Sequence, residues 1–264
     1  MQKTLSRDGT PIAFDRSGYG PALIIVDGAL CYRASGPSAG LATQLKDHFT
    51  VFTYDRRGRG DSGDRAPYGL EREIDDIDAL ITEAGGSAFA FGVSSGAALA
   101  LEASARGSAI SRLALYEAPF IVDDSRPPLP GDFLARLKEA IASGRRGDAV
   151  KMFMKLVGVP RFFIALMRLM PAWSKLTAVA HTLAYDITIV QNYQRGTPLP
   201  AAQWTRATMP VLVMDGGKSP AWMRNGMRAL AGALSNATYR TLEGQTHMIK
   251  ARVLVEPLVE FFKN

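Results

Sequence analysis

Cysteine is nearly absent from this sequence: among 264 residues there is one, Cys31. A single cysteine excludes an internal disulfide bond and any metal cluster built on cysteine ligands. Long apolar runs are lacking too, and no window approaches the ~20 apolar residues of a membrane-spanning helix. The chain begins with polar residues rather than an apolar signal stretch, so we expect a cytoplasmic protein without a membrane span.

A concentrated block of positive charge is also missing, although the formal net charge is +6. The tightest basic groups are short: Arg56, Arg57 and Arg59, and the pair Arg145-Arg146. The sequence contains neither a zinc-finger spacing nor the aromatic and basic pattern of a ribonucleoprotein motif. We therefore interpret the charge as a solvated surface and expect no nucleic-acid partner.

Short apolar runs alternate with helix-like stretches in most of the chain. The runs occupy residues 22–26, 51–54, 88–91, 113–116 and 210–214, and the rhythm of strand and helix continues through residues 238–242. Continuous apolar strands that end at polar residues or glycine are typical of a parallel sheet covered on both faces. We predict an α/β fold with a mostly parallel, doubly wound sheet, whose ligand site lies beyond the carboxyl ends of the strands.

The rhythm changes between residues 121 and 205. A cluster of prolines at residues 127–130 breaks the chain, and helix-like stretches follow without strands between them. We predict a core made of residues 1–120 and 206–264, with residues 121–205 inserted as a helical lid. The apolar stretch 162–167 is expected either to line a pocket or to pack against the core.

A literal G-x-G-x-x-G sequence occupies residues 58–63. A dinucleotide site needs its third glycine in the first turn of a helix and an acidic residue at the end of the next strand. Here residues 64–68 continue as a loop, and the next strand ends at Gly92 without an acid. We predict a surface turn rather than a nucleotide site.

The sequence Gly92-Val93-Ser94-Ser95-Gly96 has the G-x-S-x-G pattern of a nucleophile elbow. A predicted strand precedes it and a helix rich in small residues follows, which is the setting that the elbow requires. The two glycines let strand and helix approach closely, and the helix N-terminus adds free N–H groups behind the nucleophile. Only Ser94 lies centrally between the glycines, so Ser94 is the predicted nucleophile.

A serine nucleophile needs a base, and the chain has three histidines. His48 precedes a strand at the edge of the sheet opposite the predicted site. His181 falls in the predicted lid, where it faces substrate or simply belongs to the lid surface. His247 follows the last predicted strand, in a loop that reaches toward the elbow, so we predict that His247 is the general base.

Along its whole length the chain resembles the α/β-hydrolase superfamily. The resemblance lies in Asp27-Gly28-Ala29, in Asp55-Arg56-Arg57-Gly58, in the elbow and in the final histidine. It implies an oxyanion hole formed by two backbone N–H groups, which by position belong to Ala29 and Ser95. The first turn in the family is usually His-Gly, so Asp27 is a departure that is expected to alter the hydrogen bonding beside the hole.

The triad acid is where this sequence departs further. Most relatives carry the acid after the strand 210–214, in a Gly-x-x-Asp turn, but here Ser219 occupies that place. A serine cannot carry the charge that stabilises an imidazolium. Two carboxylates remain, Glu117 after the strand that follows the elbow helix and Asp215, which lies three or four residues early.

Some relatives, including haloalkane dehalogenases and zearalenone-type lactonases, carry the acid at the strand end that corresponds to Glu117. The zearalenone-type lactonases are also similar in their Asp-Gly first turn and Ser-Ser-Gly elbow. We favour Glu117 as the orienting acid, with Asp215 as the second choice and a dyad without an acid as the third.

The predicted activity is hydrolysis of a small-molecule carboxylic ester or lactone through an acyl-enzyme on Ser94, with no cofactor and no metal. Leu30, Trp173 and Tyr193 are the predicted substrate contacts, and Trp204 is a further candidate pocket aromatic. Alternatives are C–C bond hydrolysis, acyl transfer to another acceptor, a haloperoxidase side activity, and a non-catalytic member that binds a small ligand. A homodimer is left open.

Overall fold

Eight strands form one sheet in this computed structural model, which describes residues 1–264. The strands are β1 (Gln2–Leu5), β2 (Pro11–Ser17), β3 (Ala22–Val26), β4 (Thr50–Tyr54), β5 (Ala88–Val93), β6 (Ile110–Tyr116), β7 (Val211–Gly216) and β8 (Ala237–Leu242). Their order is β1-β2-β4-β3-β5-β6-β7-β8, and every pairing from β4 to β8 is parallel. The predicted mostly parallel sheet is confirmed.

The two strands that the sequence analysis missed lie at one edge of the sheet. β1 pairs with β2 and β2 with β4, both antiparallel. β1 is largely exposed and has no continuous apolar run, so it lacks the signal by which the buried strands were predicted.

Ten helices accompany the sheet: α1 (Ser38–Leu45), α2 (Leu70–Glu83), α3 (Ser95–Arg106), α4 (Phe133–Ala142), α5 (Arg146–Leu156), α6 (Arg161–Met167), α7 (Ala172–Ala178), α8 (Leu183–Val190), α9 (Ala221–Ala233) and α10 (Ala251–Lys263). Three 3₁₀ turns occupy Ala180–Thr182, Gln191–Tyr193 and Ala201–Trp204. None of the helices is long and apolar enough to cross a membrane.

Both faces of the sheet are buried, because side chains alternate along each strand. On β3, Ile24 and Val26 point to the core that α2, α3 and α9 cover. Leu23 and Ile25 point to the other core, which α1 and α10 cover. This double burial explains why β3 reads as an unbroken apolar run.

Between β6 and β7 the chain forms helices and no strand of the sheet, in agreement with the helical character expected for residues 121–205. These helices have an apolar cluster of their own, in which Leu137, Val150 and Leu183 are buried. That residues 121–205 form a separate lid stays a prediction.

The loop after β4 reaches the surface at Gly60 and Asp61, which are exposed, but the arginines before them do not. Arg56, Arg57 and Arg59 are each 1% exposed, so the prediction that their charges are solvated is wrong. Buried charges need ionic partners and complete hydrogen bonding. Each of these arginines has carboxylate partners, described next.

Four carboxylates neutralise the buried arginines. Arg56 donates to Glu73 at 2.7 and 2.8 Å and to Asp186 at 2.7 Å. Arg59 donates to the other oxygen of Asp186 at 2.7 Å. Arg57 donates to Asp76 at 2.6 and 2.8 Å and to Asp8 at 3.1 Å. Because Asp186 lies on α8, these ion pairs join the inserted helices to the sheet.

We predict that Arg56→Met lowers the free energy of unfolding by about 3–5 kcal/mol, because it leaves Glu73 and Asp186 short of a buried partner. Urea denaturation monitored by circular dichroism measures the effect. Arg136→Met is the matched control, since the Arg136–Asp132 pair is more than half exposed and contributes at most about 1 kcal/mol. Equal losses in the two variants would contradict the prediction.

Candidate active site

Loops from four strands meet at the carboxyl edge of the sheet. Asp27–Leu30 follows β3, Ser94 follows β5, Glu117 follows β6, and His247 lies after β8. A cavity of about 500 Å³ opens between this edge and the inserted helices. Ser94, Ser95, Ala29 and His247 all contribute to its lining.

Ser94 stands on a tight turn between β5 and α3. Its backbone has φ of 57° and ψ of −128°, a conformation that a residue other than glycine rarely adopts. A Cβ atom on Gly96 would lie 2.1 Å from the Val26 carbonyl oxygen, and one on Gly92 would lie 2.6 Å from the Ala97 Cα. The two glycines are therefore required by the close packing of the turn, as the elbow pattern predicts.

His247 and Glu117 are in direct contact. The Nδ1 atom of His247 is 2.8 Å from the Oε2 atom of Glu117, whose side chain is fully buried. The other carboxylate oxygen of Glu117 accepts a hydrogen bond of 2.7 Å from the Gly216 N–H. Both oxygens are thus engaged, which fixes the orientation of the carboxylate toward the imidazole.

The loop that carries His247 is tied to the ends of β6 and β7. The Tyr116 hydroxyl donates to the Thr246 carbonyl at 2.7 Å, and the Lys218 N–H donates to the Gln245 carbonyl at 2.8 Å. Gly216 passes so close that a Cβ there would lie 2.6 Å from the Gln245 carbonyl oxygen. These contacts hold the imidazole at the cavity wall.

The alternative acid, Asp215, points elsewhere. Its side chain is fully buried, accepts a hydrogen bond from the Tyr239 hydroxyl and lies 3.6 Å from Nε of Arg224. Ser219, which stands in the usual place of the acid, has a buried hydroxyl without a hydrogen-bond partner. Neither residue contacts His247.

Ser94 and His247 line the same cavity but are not hydrogen-bonded to each other in this structure. Hydrogen bonds between a nucleophile and its base are commonly long in the absence of substrate and tighten when it binds. The geometry therefore fixes the His247–Glu117 contact and places Ser94 in the same cavity without a hydrogen bond to His247.

The residues of the buried ion pairs also hold the backbone at Ser95 and around Ala29, the two predicted oxyanion donors. The Ser95 hydroxyl donates to Asp186 at 2.7 Å, which anchors the first residue of α3. Arg59 donates to the Gly28 carbonyl at 2.6 Å and to the Cys31 carbonyl at 3.1 Å, on either side of Ala29. Burial alone would raise the pKa of Asp186, but Arg59 and Arg56 lower it below its ordinary value.

Asp27, the departure at the first turn, is buried beneath this loop at 2% exposure. Neither of its carboxylate oxygens has a partner with hydrogen-bond geometry. Burial raises the pKa of Asp27 to about 6, although the nearby Ser38 hydroxyl and the charges of Arg59 and Arg56 offset part of the effect.

The other two histidines lie outside the cavity. His48 is half-buried and has its Nδ1 atom 3.1 Å from Nζ of Lys263. His181 has its Nε2 atom 3.5 Å from a carboxylate oxygen of Asp64. Of the three histidines, only His247 lines the cavity.

The predicted substrate contacts Leu30, Trp173 and Tyr193 do not line the cavity. Leu30 and Trp173 pack in the apolar cluster of the inserted helices, where they fill space between helices. The Tyr193 hydroxyl bonds to Glu102, and its ring packs beside Trp204 in the main core. Trp204 is 2% exposed and also lies away from the cavity.

The apolar stretch 162–167 neither lines the cavity nor packs as a whole against the core, which were the two expectations for it. Phe162 is 72% exposed and Phe163 is 54% exposed, whereas Ile164 alone is buried. None of these residues lines the cavity. Every residue of this run is apolar, so the sequence of a helix as short as α6 does not indicate which of its side chains will be buried.

Several cavity residues were missed by sequence reasoning. Asp186, Gln194 and Arg126 come from the inserted segment and lie together only in the folded chain. For the buried arginines, by contrast, the sequence did contain a signal. Glu73 and Asp76 lie beside the apolar stripe of α2, where buried acidic residues require cationic partners. No group of three or more His, Cys, Asp or Glu side chains has the arrangement of a metal site.

The chain belongs to the alpha/beta hydrolase family, whose model matches residues 17–262. It is 52% identical to an alpha/beta hydrolase from Sphaerobacter thermophilus DSM 20745, whose crystal structure superimposes with a TM-score of 0.91 over 99% of this chain and 100% of that chain. A comparison with curated proteins gives no match.

Two more distant structures share the fold. The enol-lactonase from Burkholderia xenovorans LB400 is 21% identical, with a TM-score of 0.71 over the full length of both chains. The 2-hydroxy-6-oxo-6-phenylhexa-2,4-dienoate hydrolase from Rhodococcus sp. strain RHA1 is 19% identical, with a TM-score of 0.69 over 100% of this chain and 99% of that chain. At these identities the two structures show only a shared fold, and membership of the hydrolase family rests on the family model and on the relative that is 52% identical.

We predict that Asp27→Asn stabilises the protein relative to the wild type as the pH rises. Because the pKa of Asp27 is raised from 3.8 to about 6, the folded wild type holds a proton that the unfolded chain releases between these values. The wild type therefore loses stability across this window, by on the order of 3 kcal/mol in full, whereas the asparagine variant does not.

Urea denaturation of both proteins at pH 4.5 and pH 7.5 checks this expectation. The stability difference in favour of Asp27→Asn should be larger at pH 7.5. Asp124→Asn is the matched control, because Asp124 is exposed and makes no ion pair or hydrogen bond. A stability difference for Asp27→Asn that is independent of pH would contradict the raised pKa.

Proposed function

We propose that this hydrolase cleaves a carboxylic ester or lactone through an acyl-enzyme on Ser94, with His247 as general base and Glu117 as the orienting acid. The observation that carries the proposal is the 2.8 Å contact between His247 and Glu117 on the wall of the cavity that the strained Ser94 also lines.

In the first half-reaction the Ser94 Oγ attacks the substrate carbonyl carbon while Nε2 of His247 takes the hydroxyl proton. The imidazolium that forms is stabilised by Glu117, to which Nδ1–H donates. The backbone N–H groups of Ala29 and Ser95 hold the negative oxygen of the tetrahedral intermediate. His247 then returns the proton to the departing alkoxide, and an alcohol leaves.

The second half-reaction repeats these steps with water. His247 takes a proton from water, whose oxygen attacks the acyl carbon, and the proton passes to the Ser94 Oγ as the carboxylic acid forms. For a lactone the alcohol stays part of the acyl chain throughout, and this step releases a single hydroxy acid. The local chain supports this chemistry because Ser95 is the first residue of α3, where its N–H has no acceptor within the helix.

Rivals on the same residues are C–C bond hydrolysis, acyl transfer to an acceptor other than water, and binding without catalysis. The hydrolases at 21% and 19% identity share the fold only, so they do not choose among these reactions. The strained serine beside a paired histidine and glutamate favours catalysis over binding, since such strain is found mainly at functional sites.

A fluorophosphonate probe tests the nucleophile directly. We expect the probe to label the wild type and Ser95→Ala but not Ser94→Ala, because only Ser94 lies at the elbow. A hydrolysis screen over p-nitrophenyl esters of increasing chain length and a set of lactones should give turnover that Ser94→Ala abolishes. Labelling that persists in Ser94→Ala, or a wild type that is inert to probe and esters, would refute the proposal.

We predict that Glu117→Gln lowers kcat by about 10⁴-fold, because the amide cannot stabilise the imidazolium or hold its tautomer. The measurement is kcat on the best ester of the screen, with circular dichroism to check folding. Asp215→Asn is the matched control and should affect kcat far less, because Asp215 contacts Tyr239 rather than His247. The reverse order of effects would assign the acid to Asp215.

A further inference from the structure

Charged side chains are few in the cavity, and two of the three are already paired. Asp186 is neutralised by Arg56 and Arg59, and His247 is paired with Glu117. The third is Arg126, in the loop between β6 and α4, which has no carboxylate oxygen within 4.0 Å and is therefore a cation without an ionic partner of its own.

The guanidinium of Arg126 is held in place but is largely unsatisfied. It donates one hydrogen bond, from Nη2 to the Leu156 carbonyl, and it stacks over the ring of Trp222 at 4.1 Å. A guanidinium has five N–H groups, so most of its donors lack a protein acceptor. Burial lowers the pKa of Arg126 from its ordinary value, and no carboxylate offsets this effect.

This situation contrasts with the other arginines that lose contact with water. Arg33, Arg56, Arg57 and Arg59 each have at least one carboxylate partner within 3.1 Å. Every fully buried arginine thus has an acid beside it. Arg126 is half-buried without one, and so is Arg112, but Arg112 lies outside the cavity and donates to the Phe261 carbonyl at 3.0 Å.

A second unpaired polar group lines the same cavity. Gln194 is 7% exposed; its side-chain N–H donates to the Pro119 carbonyl at 2.8 Å, and its Oε1 atom is buried without a partner. Arg126 is thus the one cation without an acid among the residues that line the cavity, while apolar side chains such as Ile187, Val190 and Met223 form much of the rest of its wall.

We propose that Arg126 binds a carboxylate of the substrate, so that the natural substrate is an ester or lactone that also carries a free carboxylate on an apolar body. This inference rests on the proposed function for the scissile bond. A planar guanidinium with free donors matches a carboxylate in a two-pronged hydrogen-bonded pair. The stacking on Trp222 keeps the plane of the guanidinium fixed before substrate binds.

The test uses matched pairs of substrates with the same scissile bond. Mono-4-nitrophenyl esters of adipic, pimelic and suberic acids carry a free carboxylate at increasing distance, and the corresponding methyl diesters are neutral. The ratio of kcat/KM between acid and diester is measured after subtraction of the enzyme-free rate. The variants are Arg126→Met, Arg126→Lys and the control Arg168→Met, which removes an exposed charge that belongs to the inserted segment but does not line the cavity.

We expect the wild type to prefer the acid of at least one chain length, and Arg126→Met to lower that ratio by about 10- to 100-fold, mainly through KM. Arg126→Lys should retain part of the preference, and Arg168→Met should retain all of it. A wild type without preference for any acid, or a ratio unchanged in Arg126→Met, would overturn the inference while ester hydrolysis itself stands.

A wild type that cleaves neither substrate would instead refute the proposed function, and binding then decides the carboxylate inference. Calorimetric titration of the Ser94→Ala protein with monomethyl adipate should give binding that Ser94→Ala/Arg126→Met lacks. Absence of binding to Ser94→Ala, or equal binding to both proteins, would overturn the inference independently of catalysis.

Discussion

The buried ion pairs of Arg56 and Arg59 with Asp186 connect the two parts of the chain that form the cavity. The arginines belong to the loop after β4, and Asp186 belongs to α8 of the inserted segment. The same carboxylate accepts a hydrogen bond from the Ser95 hydroxyl, and Arg59 also donates to the loop around Ala29. Because these charges are buried, moving one side chain away would leave its partners as buried charges without an opposite charge nearby. The ion pairs therefore fix the inserted helices relative to the elbow.

Three residues other than glycine have positive φ, and all three lie at the carboxyl edge of the sheet: Leu30, Ser94 and Glu117. Each such residue costs roughly 1–3 kcal/mol and persists only where its surroundings determine it strongly. Here the Ser94 N–H donates to the Tyr116 carbonyl, and the Glu117 side chain binds Gly216 and His247. The strain is thus concentrated where strand ends deliver the functional groups.

The buried part of the fold could be predicted from sequence, because strands covered on both faces must be continuously apolar. β3 to β7 carry that signal, whereas the exposed β1 does not, and the antiparallel edge was missed. Ser94 and His247 could be predicted because the elbow has a fixed spacing and histidine is scarce, and both line the cavity. The environment of the arginine loop was predicted wrongly, because a run of basic residues in the sequence does not show whether water or carboxylates will surround the side chains.

By itself the sequence determined the α/β sheet, the elbow serine and a single histidine able to reach it, since these follow from local periodicity and from short spacings. It left Glu117 and Asp215 as competing acids, and the tertiary structure decided that Glu117 contacts His247, because neighbouring strand ends and side-chain directions choose between them. Only the tertiary structure brought Arg126, Gln194 and Asp186 to the cavity. Residues from distant segments become neighbours through packing and buried charge compensation, which no local pattern encodes.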